Sequence, residues 1–426
     1  MNKTTVKPKL RFPEFVGNPK WSVAALKDFS TPITKRAGAK KYTLLSVTSG
    51  VGLVSQLDKF GREIAGSSYK NYIVIEQGDF AYNKSATKLF PEGYIARLND
   101  YDKGAVPNSI FTCFRATKKQ VDVNFIDHIF QSNYHGSWLR KFIAVGARAH
   151  GALNIDDKYL WELPVALPTF AEQQKIANCL SSLDDLIAAE NKKLDILKAH
   201  KKGLMQKLFP AEGKSVPEWR FPEFRGSGEW KINAIGKLSG NIVAGGTPST
   251  LKPEYWNGHI RWMSSGDLNL KRVYEVKGRI TEEGMLKSST KLVPSQCVLI
   301  GLAGQGKTRG TVAMNMVELC VNQSIAAIFP NQKVFASSFL YHNLDYRYEE
   351  LRKLSTGDGG RGGLNLQILK SLPIYLPSIV EQQEIADCLS VLDKFLTAQA
   401  EKIETLKLHK KGLMQGLFPS AQEVME

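Results

Sequence analysis

The chain has 426 residues, 43% of them apolar, which is enough for more than one packed core. Its 57 Lys and Arg against 41 Asp and Glu give a formal net charge of +16 and a pI near 9.4, favouring a polyanionic partner, nucleic acid ahead of a membrane. No apolar run approaches the roughly 18–20 residues of a membrane span, the start MNKTTVKPKLR has no signal-peptide core, and the five cysteines form no CxxC pair, so a cytoplasmic protein without disulfides or bound metal is expected.

Residues 1–21 read as an N-terminal arm carrying RFPEF (Arg11–Phe15) and Trp21; its aromatics are expected to dock on a neighbouring surface. Residues 22–167 come next as a mixed region. Strands are expected over 42–47 and 71–75, and a helical patch over 124–142. Lys35, Arg36, Asn83 and Lys84 are candidate nucleic-acid contacts, each with a solvated surface role as the alternative. The loop ARAHGALNI (147–155) adds Arg148 and His150 among glycines that suit close approach to a polyanion. Asn154 reads as a helix cap.

Residues 168–210 predict one long helix. Thr169 and Glu172 have capping-box spacing, and apolar residues then recur at steps of four and three: Ile176, Leu180, Leu183, Ile187, Leu194, Leu197, Leu204, Leu208. Glu190 and Lys201 interrupt this seam, which weakens pairing but fixes register. Uninterrupted, the helix would span roughly 55–60 Å, a spacer rather than the core of a small domain. Two ordinary amphipathic helices packed on separate domains are the alternative. Cys179 reads as a buried small hydrophobe, and Gly203 as a site where the last turns loosen.

The connector 211–230 repeats RFPEF at Arg220–Phe224 and ends on Trp230. Residues 231–376 form a second mixed region, with strands over 296–303 and 322–329 and a helical patch over 335–354. Arg261 and Lys271 are further basic candidates. Gly301–Thr308, GLAGQGKT, fits the phosphate-cradling pattern GxxxxGK[ST]. Directly downstream of it lies a strand-like RGTVAMNMV rather than a helix, and residues 22–167 show no counterpart. The same residues suit a nucleic-acid loop in which Lys307 and Arg309 supply charge or a fork for guanine; a structural turn is the third possibility. GDGGRGGLNL (357–366) adds Arg361, with Asn365 as a cap.

Residues 377–419 are a second copy of the long helix, matching the first without a gap at roughly 25 of 43 positions. Its cap is Ser378 and Glu381, its seam Ile385, Leu389, Leu392, Leu396, Ile403, Leu406, Leu413 and Leu417, its interruptions Gln399 and Lys410, with Cys388 and Gly412 in the places of Cys179 and Gly203. Residues 420–426 remain as a tail. RFPEF, the tryptophan and the helix all recur 209 residues on, so the chain is a duplication of arm, α+β region and helix. Residues 22–165 and 231–374 share almost no recognisable sequence, as expected for one scaffold reading two different things; drift is the alternative. No methyltransferase, helicase or nuclease signature is present, and the seven histidines form no metal-ligand pattern.

The repeated LPTFAEQQKIANCLSSLDDLI and LPSIVEQQEIADCLSVLDKFL, each closed by KKGLMQ.LFP, with RFPEF, GGTPST..PEYWNGHIRWMSSGDL and GQGKTRG, resemble the specificity subunit of type I restriction-modification enzymes. The resemblance covers nearly the whole chain. It implies two target-recognition domains, 22–167 and 231–376, held apart by an antiparallel, pseudo-two-fold coiled-coil pair of long helices. Each domain would read one half of a gapped DNA site. The subunit would be non-catalytic and bind no cofactor itself. Two methyltransferase subunits using S-adenosylmethionine, and motor-nuclease subunits using ATP and Mg, would be its partners. No base contacts carry over.

Overall fold

The computed structural model describes residues 5–48, 51–65, 67–117, 119–143, 153–304, 308–354 and 364–425. They form two compact units, residues 1–191 with 401–426, and residues 192–400.

In the first unit the strands are β1 (Thr5–Val6), β2 (Trp21–Ala25), β3 (Ser30–Pro32), β4 (Thr43–Thr48), β5 (Gly52–Ser55), β6 (Ile73–Glu76), β7 (Phe80–Asn83), β8 (Tyr94–Arg97), β9 (Lys103–Val106), β10 (Phe111–Ala116) and β11 (Pro164–Leu167). The helices are α1 (Gln56–Phe60), α2 (Val123–Gln131), α3 (Tyr134–Leu139) and α4 (Lys158–Trp161). One sheet has the order β3-β10-β7-β8, a second β5-β4-β9-β6, and a third β1-β2-β11. The second contains one parallel pair, β4 with β9 (Thr43 opposite Gly104). The expected helix over 124–142 is broken after Gln131, because Asn133 takes a left-handed conformation (φ 59°) that asparagine tolerates.

The first long helix, α5 (Phe170–Leu208), leads from this unit into the second. There the strands are β12 (Lys231–Ala234), β13 (Ile242–Ala244), β14 (Trp256–Met263), β15 (Arg272–Val273), β16 (Arg279–Ile280), β17 (Lys291–Val293), β18 (Val298–Gly301), β19 (Val312–Asn315), β20 (Leu319–Val321), β21 (Ile325–Ile328) and β22 (Pro373–Leu376). The helices are α6 (Ile235–Ser239), α7 (Glu282–Leu286), α8 (Ser337–Tyr346), α9 (Tyr348–Leu354), α10 (Leu366–Ser371) and the second long helix α11 (Ile379–Leu417). After α11, which returns to the first unit, comes α12 (Ala421–Met425), on residues expected as a tail.

The two dissimilar regions share one topology. The order β13-β21-β18-β19, extended by β15, repeats β3-β10-β7-β8, and β16-β14-β20-β17 repeats β5-β4-β9-β6, down to a parallel β14–β20 pair (Trp262 opposite Cys320). What the two regions keep in common is near-continuous burial of the central strands, β7, β8 and β10 in one and β18, β19 and β21 in the other, which does not depend on which apolar residue fills them.

Both long helices run 39 residues without a break, or about 58 Å at ~1.5 Å per residue, through Gly203 and Gly412 to Leu208 and Leu417, so these glycines do not end the last turns. Burial follows the expected seam. Ile176, Leu180, Ile385, Leu389 and Ile403 are buried, and Leu183, Ile187, Leu194, Leu197, Leu392, Leu396 and Leu406 are half-buried. The interruptions are buried too, except the half-buried Lys410. Cys179 and Cys388 flank the seam and are half-buried rather than buried.

The expected capping boxes close on one side only. Thr169 Oγ1 accepts the Glu172 N–H (3.4 Å) and Ser378 Oγ the Glu381 N–H (3.3 Å), but the glutamate side chains turn elsewhere. Glu172 takes a two-bond fork from Arg11 (2.7 Å each), and Glu381 one from Arg220 (2.8 and 2.6 Å). The arginine of RFPEF is therefore its anchor; Phe12 and Phe221, half-buried, pack against the cores of their units as expected, and Phe15 and Phe224 are half-buried. A closed box occurs at α12, where Ser420 and Glu423 bond each other's backbone N–H.

Candidate nucleic-acid interface

The GLAGQGKT pattern lies in the β18–β19 connection. β18 and β19 pair antiparallel (Val298 opposite Met314), the Gly310 N–H donates to the Gly301 carbonyl (2.9 Å), and the chain passes directly into β19. A phosphate cradle needs a helix whose first N–H groups face the ligand, and none starts among the described residues from 308 to β19. The glycines serve the hairpin: a Cβ on Gly301 would lie 2.2 Å from the Thr308 carbonyl oxygen, and Gly310 has φ +76°. This connection does have a counterpart in the first unit, the β7–β8 connection from Lys84 to Gly93, where a Cβ on Gly93 would lie 2.5 Å from the Asn83 carbonyl oxygen. Sequence alone hid the equivalence because the two connections share no motif.

In each unit this connection touches described residues that flank the second glycine-rich segment. The Lys84 carbonyl accepts the N–H of Leu153 (2.8 Å), the first described residue after the segment holding Arg148 and His150. Around Gly310, a Cβ would come within 3.3–3.4 Å of Arg352 and Leu351 on α9, the helix that leads to the segment holding Arg361. Arg148, His150, Lys307 and Arg361 themselves lie outside the described residues. Arg309 is half-buried beside Gly310.

Other candidates are committed within the fold. The Lys84 ammonium, 17% exposed, pairs with Asp157 at 2.8 Å, and Thr112 donates to the same carboxylate. Lys271 pairs with Asp345 (2.7 Å), and Arg261 on β14 with Glu275 (3.2 Å), which Arg279 also engages. Asn83 accepts the Ser85 N–H. Asn365 caps α10 by accepting the Ile368 N–H (2.9 Å), as expected. Asn154 does not cap its helix, since α4 begins only at Lys158 after Asp157. Burial holds His128 and His135 at about 4 and His342 well below the usual imidazole range, so these three are neutral at pH 7.

Lys35 and Arg36 lie beside β6, where the Lys35 carbonyl accepts the Val74 N–H (2.9 Å). Arg36 donates to the Asn71 carbonyl (2.8 Å), and Lys35 stands 3.9 Å from Glu76. They join three exposed lysines not singled out by sequence. The Gly38 N–H donates to the Lys70 carbonyl and the Tyr69 hydroxyl to the Lys40 carbonyl, which gathers Lys35, Arg36, Lys40, Lys41 and Lys70 on one surface. The run KRAGAKK was the available signal. In the second unit the equivalent segment carries GGTPST, whose first glycine is packed so closely that a Cβ would lie 1.8 Å from the Val321 carbonyl oxygen. Among the described residues no group of three or more His, Cys, Asp or Glu could hold a metal ion.

A family model for the type I restriction modification DNA specificity domain matches the chain twice, at residues 20–199 and 228–408. The chain belongs to this family. It is a specificity subunit of a type I restriction-modification system, built from two such domains. The EcoR124I/EcoR124II specificity subunit of Escherichia coli is 28% identical over 337 residues, covering 74% of this chain and 78% of the relative. The MjaIX specificity subunit of Methanocaldococcus jannaschii is 30% identical over 211 residues, 46% and 48% of the two chains. Among solved structures, the type I S subunit from M. genitalium superposes with a TM-score of 0.58 at 16% identity, covering 97% of this chain and 99% of the other, a likeness of fold. No helix of this specificity subunit, among the described residues, is long and apolar enough to cross a membrane.

Proposed function

We propose that this specificity subunit reads a bipartite, gapped DNA site in the cytoplasm. Target-recognition domains 22–167 and 231–376 each recognise one half-site. Helices 168–210 and 377–419 set the gap and dock two methyltransferase subunits, with arm 1–21, connector 211–230 and tail 420–426 bracing them. The observation that carries the reading is a single strand order on two unrelated sequences, the pattern of one scaffold presenting two different reading surfaces. The surfaces proposed for DNA are the loops with Arg148, His150, Lys307, Arg309 and Arg361, and the cationic face around Lys35 and Arg36. Lys84 and Arg261 support these surfaces through their ion pairs.

An antiparallel, pseudo-two-fold coiled-coil pairing of the helices belongs to the same reading. It is supported by repeat-equivalent ion pairs inside each unit: Lys410 with Asp184 (2.6 Å) in the first, Lys201 with Asp393 (2.5 Å) in the second. The subunit is proposed to be non-catalytic, with S-adenosylmethionine, ATP and Mg acting on partner subunits. Supplying the chain with its methyltransferase partner and sequencing modified DNA tests this. Adenine methylation at one gapped motif is expected; methylation at a short continuous motif would overturn the two-reader arrangement.

A further inference from the structure

Helices α2 and α8 belong to the two regions of unrelated sequence, yet each meets the long helices through the same contacts. At the helix start, Gln173 Oε1 accepts the Asp122 N–H (2.9 Å), and Gln382 Oε1 accepts the Ala336 N–H (3.0 Å). One turn on, Phe125 lies edge-on to Trp21 (5.9 Å) and Phe418 (5.5 Å), and Phe339 edge-on to Trp230 (5.9 Å) and Phe209 (5.6 Å). A turn further, His128 Nε2 meets Ser181 Oγ (3.1 Å), and His342 Nε2 meets Ser390 Oγ (3.2 Å). Behind each serine stands the Asp184–Lys410 or Asp393–Lys201 pair.

The socket residues Ser390, Asp393 and Lys410 stand 209 positions after Ser181, Asp184 and Lys201, whereas His342 stands 214 after His128. The readers have drifted in register relative to the repeat, but Phe-x-x-His lands on the same socket in each unit.

The Ser, His and Asp order invites a nucleophilic reading. One feature opposes it: the carboxylates lie 4.0 and 3.8 Å from the imidazole Nδ1, beyond hydrogen-bond reach, and Asp184 is bound by Lys410 through both oxygens while Lys201 holds Asp393 through Oδ1. The cluster positions rather than reacts. Its three contacts fall at steps of three along one helix face, spanning about 9 Å at ~1.5 Å per residue. In the first unit the Lys410 ammonium also donates to Gln131 Oε1 (3.1 Å), so the histidine is one of several points that hold α2 against the long helices.

Resting on the function proposed above, we infer that His128 and His342 are positioning residues. Each locks its recognition domain to both long helices and thereby fixes the phase in which that domain meets the DNA. They determine how strictly the gap is read, not which bases are read.

The test uses the chain assembled with its methyltransferase subunits, on DNA carrying the mapped gap and gaps one base pair shorter or longer. Absence of gapped-site methylation by the wild type would count against the proposed function itself, and only a working wild type tests the histidines. His128→Leu should leave both half-sites unchanged and reduce preference for the native gap about fivefold to tenfold, the worth of one net hydrogen bond. His128→Gln should restore most of that preference. Ser181→Ala, a milder change on the other side of the bond, should match His128→Leu, and the double variant should lose no more than either. Unchanged gap preference in Ser181→Ala and His128→Leu, or a uniform fall in methylation at every gap, overturns the inference.

Discussion

Trp21 and Trp230 occupy repeat-equivalent places with unequal hydrogen bonding. Both are buried, at 1% and 3% exposure, and both stand 5.9 Å edge-on to a phenylalanine. Replacing either by phenylalanine therefore removes similar apolar contact, and that loss largely cancels in a comparison. The N–H bonds do not cancel. Trp21 Nε1 donates to Glu172 at 3.2 Å, while Trp230 Nε1 has no partner among the described residues. A bond to a charged acceptor contributes about 1.5–3 kcal/mol, and a buried orphan donor costs about 1–3 kcal/mol that its removal recovers. Trp21→Phe should accordingly be more destabilising than Trp230→Phe by about 2.5–6 kcal/mol. Urea unfolding followed by far-UV circular dichroism measures the difference, with hydrogen exchange assigning it to the mutated unit. Equal losses, or a larger loss for Trp230→Phe, would refute the reasoning.

Glu172→Gln and Glu381→Gln should each cost about 3–5 kcal/mol, because each leaves a buried guanidinium uncompensated, whereas Lys407→Met, whose pair with Glu404 is exposed, should change stability by less than about 1 kcal/mol. Acid should destabilise the first unit. His128 and His135 are held at about 4 when folded against 6.5 otherwise, so between pH 6.5 and 4 the unfolded chain takes up protons the folded chain refuses. Stability is full above pH 6.5 and falls by about 3 kcal/mol per histidine by pH 4; His135→Phe should remove one proton from the slope of unfolding free energy against pH. Removing a matched seven-residue block from the centre of both long helices should shorten the recognised gap by about three base pairs, since seven residues rise about 10 Å and a base pair about 3.4 Å, with both half-sites unchanged in a methylation map.

The long helices were legible because a seam of apolar residues at steps of three and four needs no tertiary information. Strands over 43–48, 73–76, 298–301 and 325–328 fell within or across their apolar runs for the same reason. The capping boxes were misread because the decisive partner lies far off: Glu172 is claimed by Arg11, 161 residues away, and a buried guanidinium outcompetes the helix's own N–H. The shared strand order could not be seen at all. It resides in which positions are buried, and β-branched, aromatic and small residues fill equivalent positions in the two regions interchangeably.

For the candidate interface, glycine and charge clustering located loops but could not say which cations are free. Lys84 and Lys271 look like any surface lysine until Asp157 and Asp345, 73 and 74 residues on, close their pairs. The Phe-x-x-His element was hidden for a related reason. Each recognition domain meets two demands, a reading surface that can change and one helical stripe that must fit a constant socket. Only a few residues in each domain answer the second demand. Against so much divergent sequence, four positions are indistinguishable from chance until the socket residues Gln173, Ser181, Asp184 and their repeats are seen facing them.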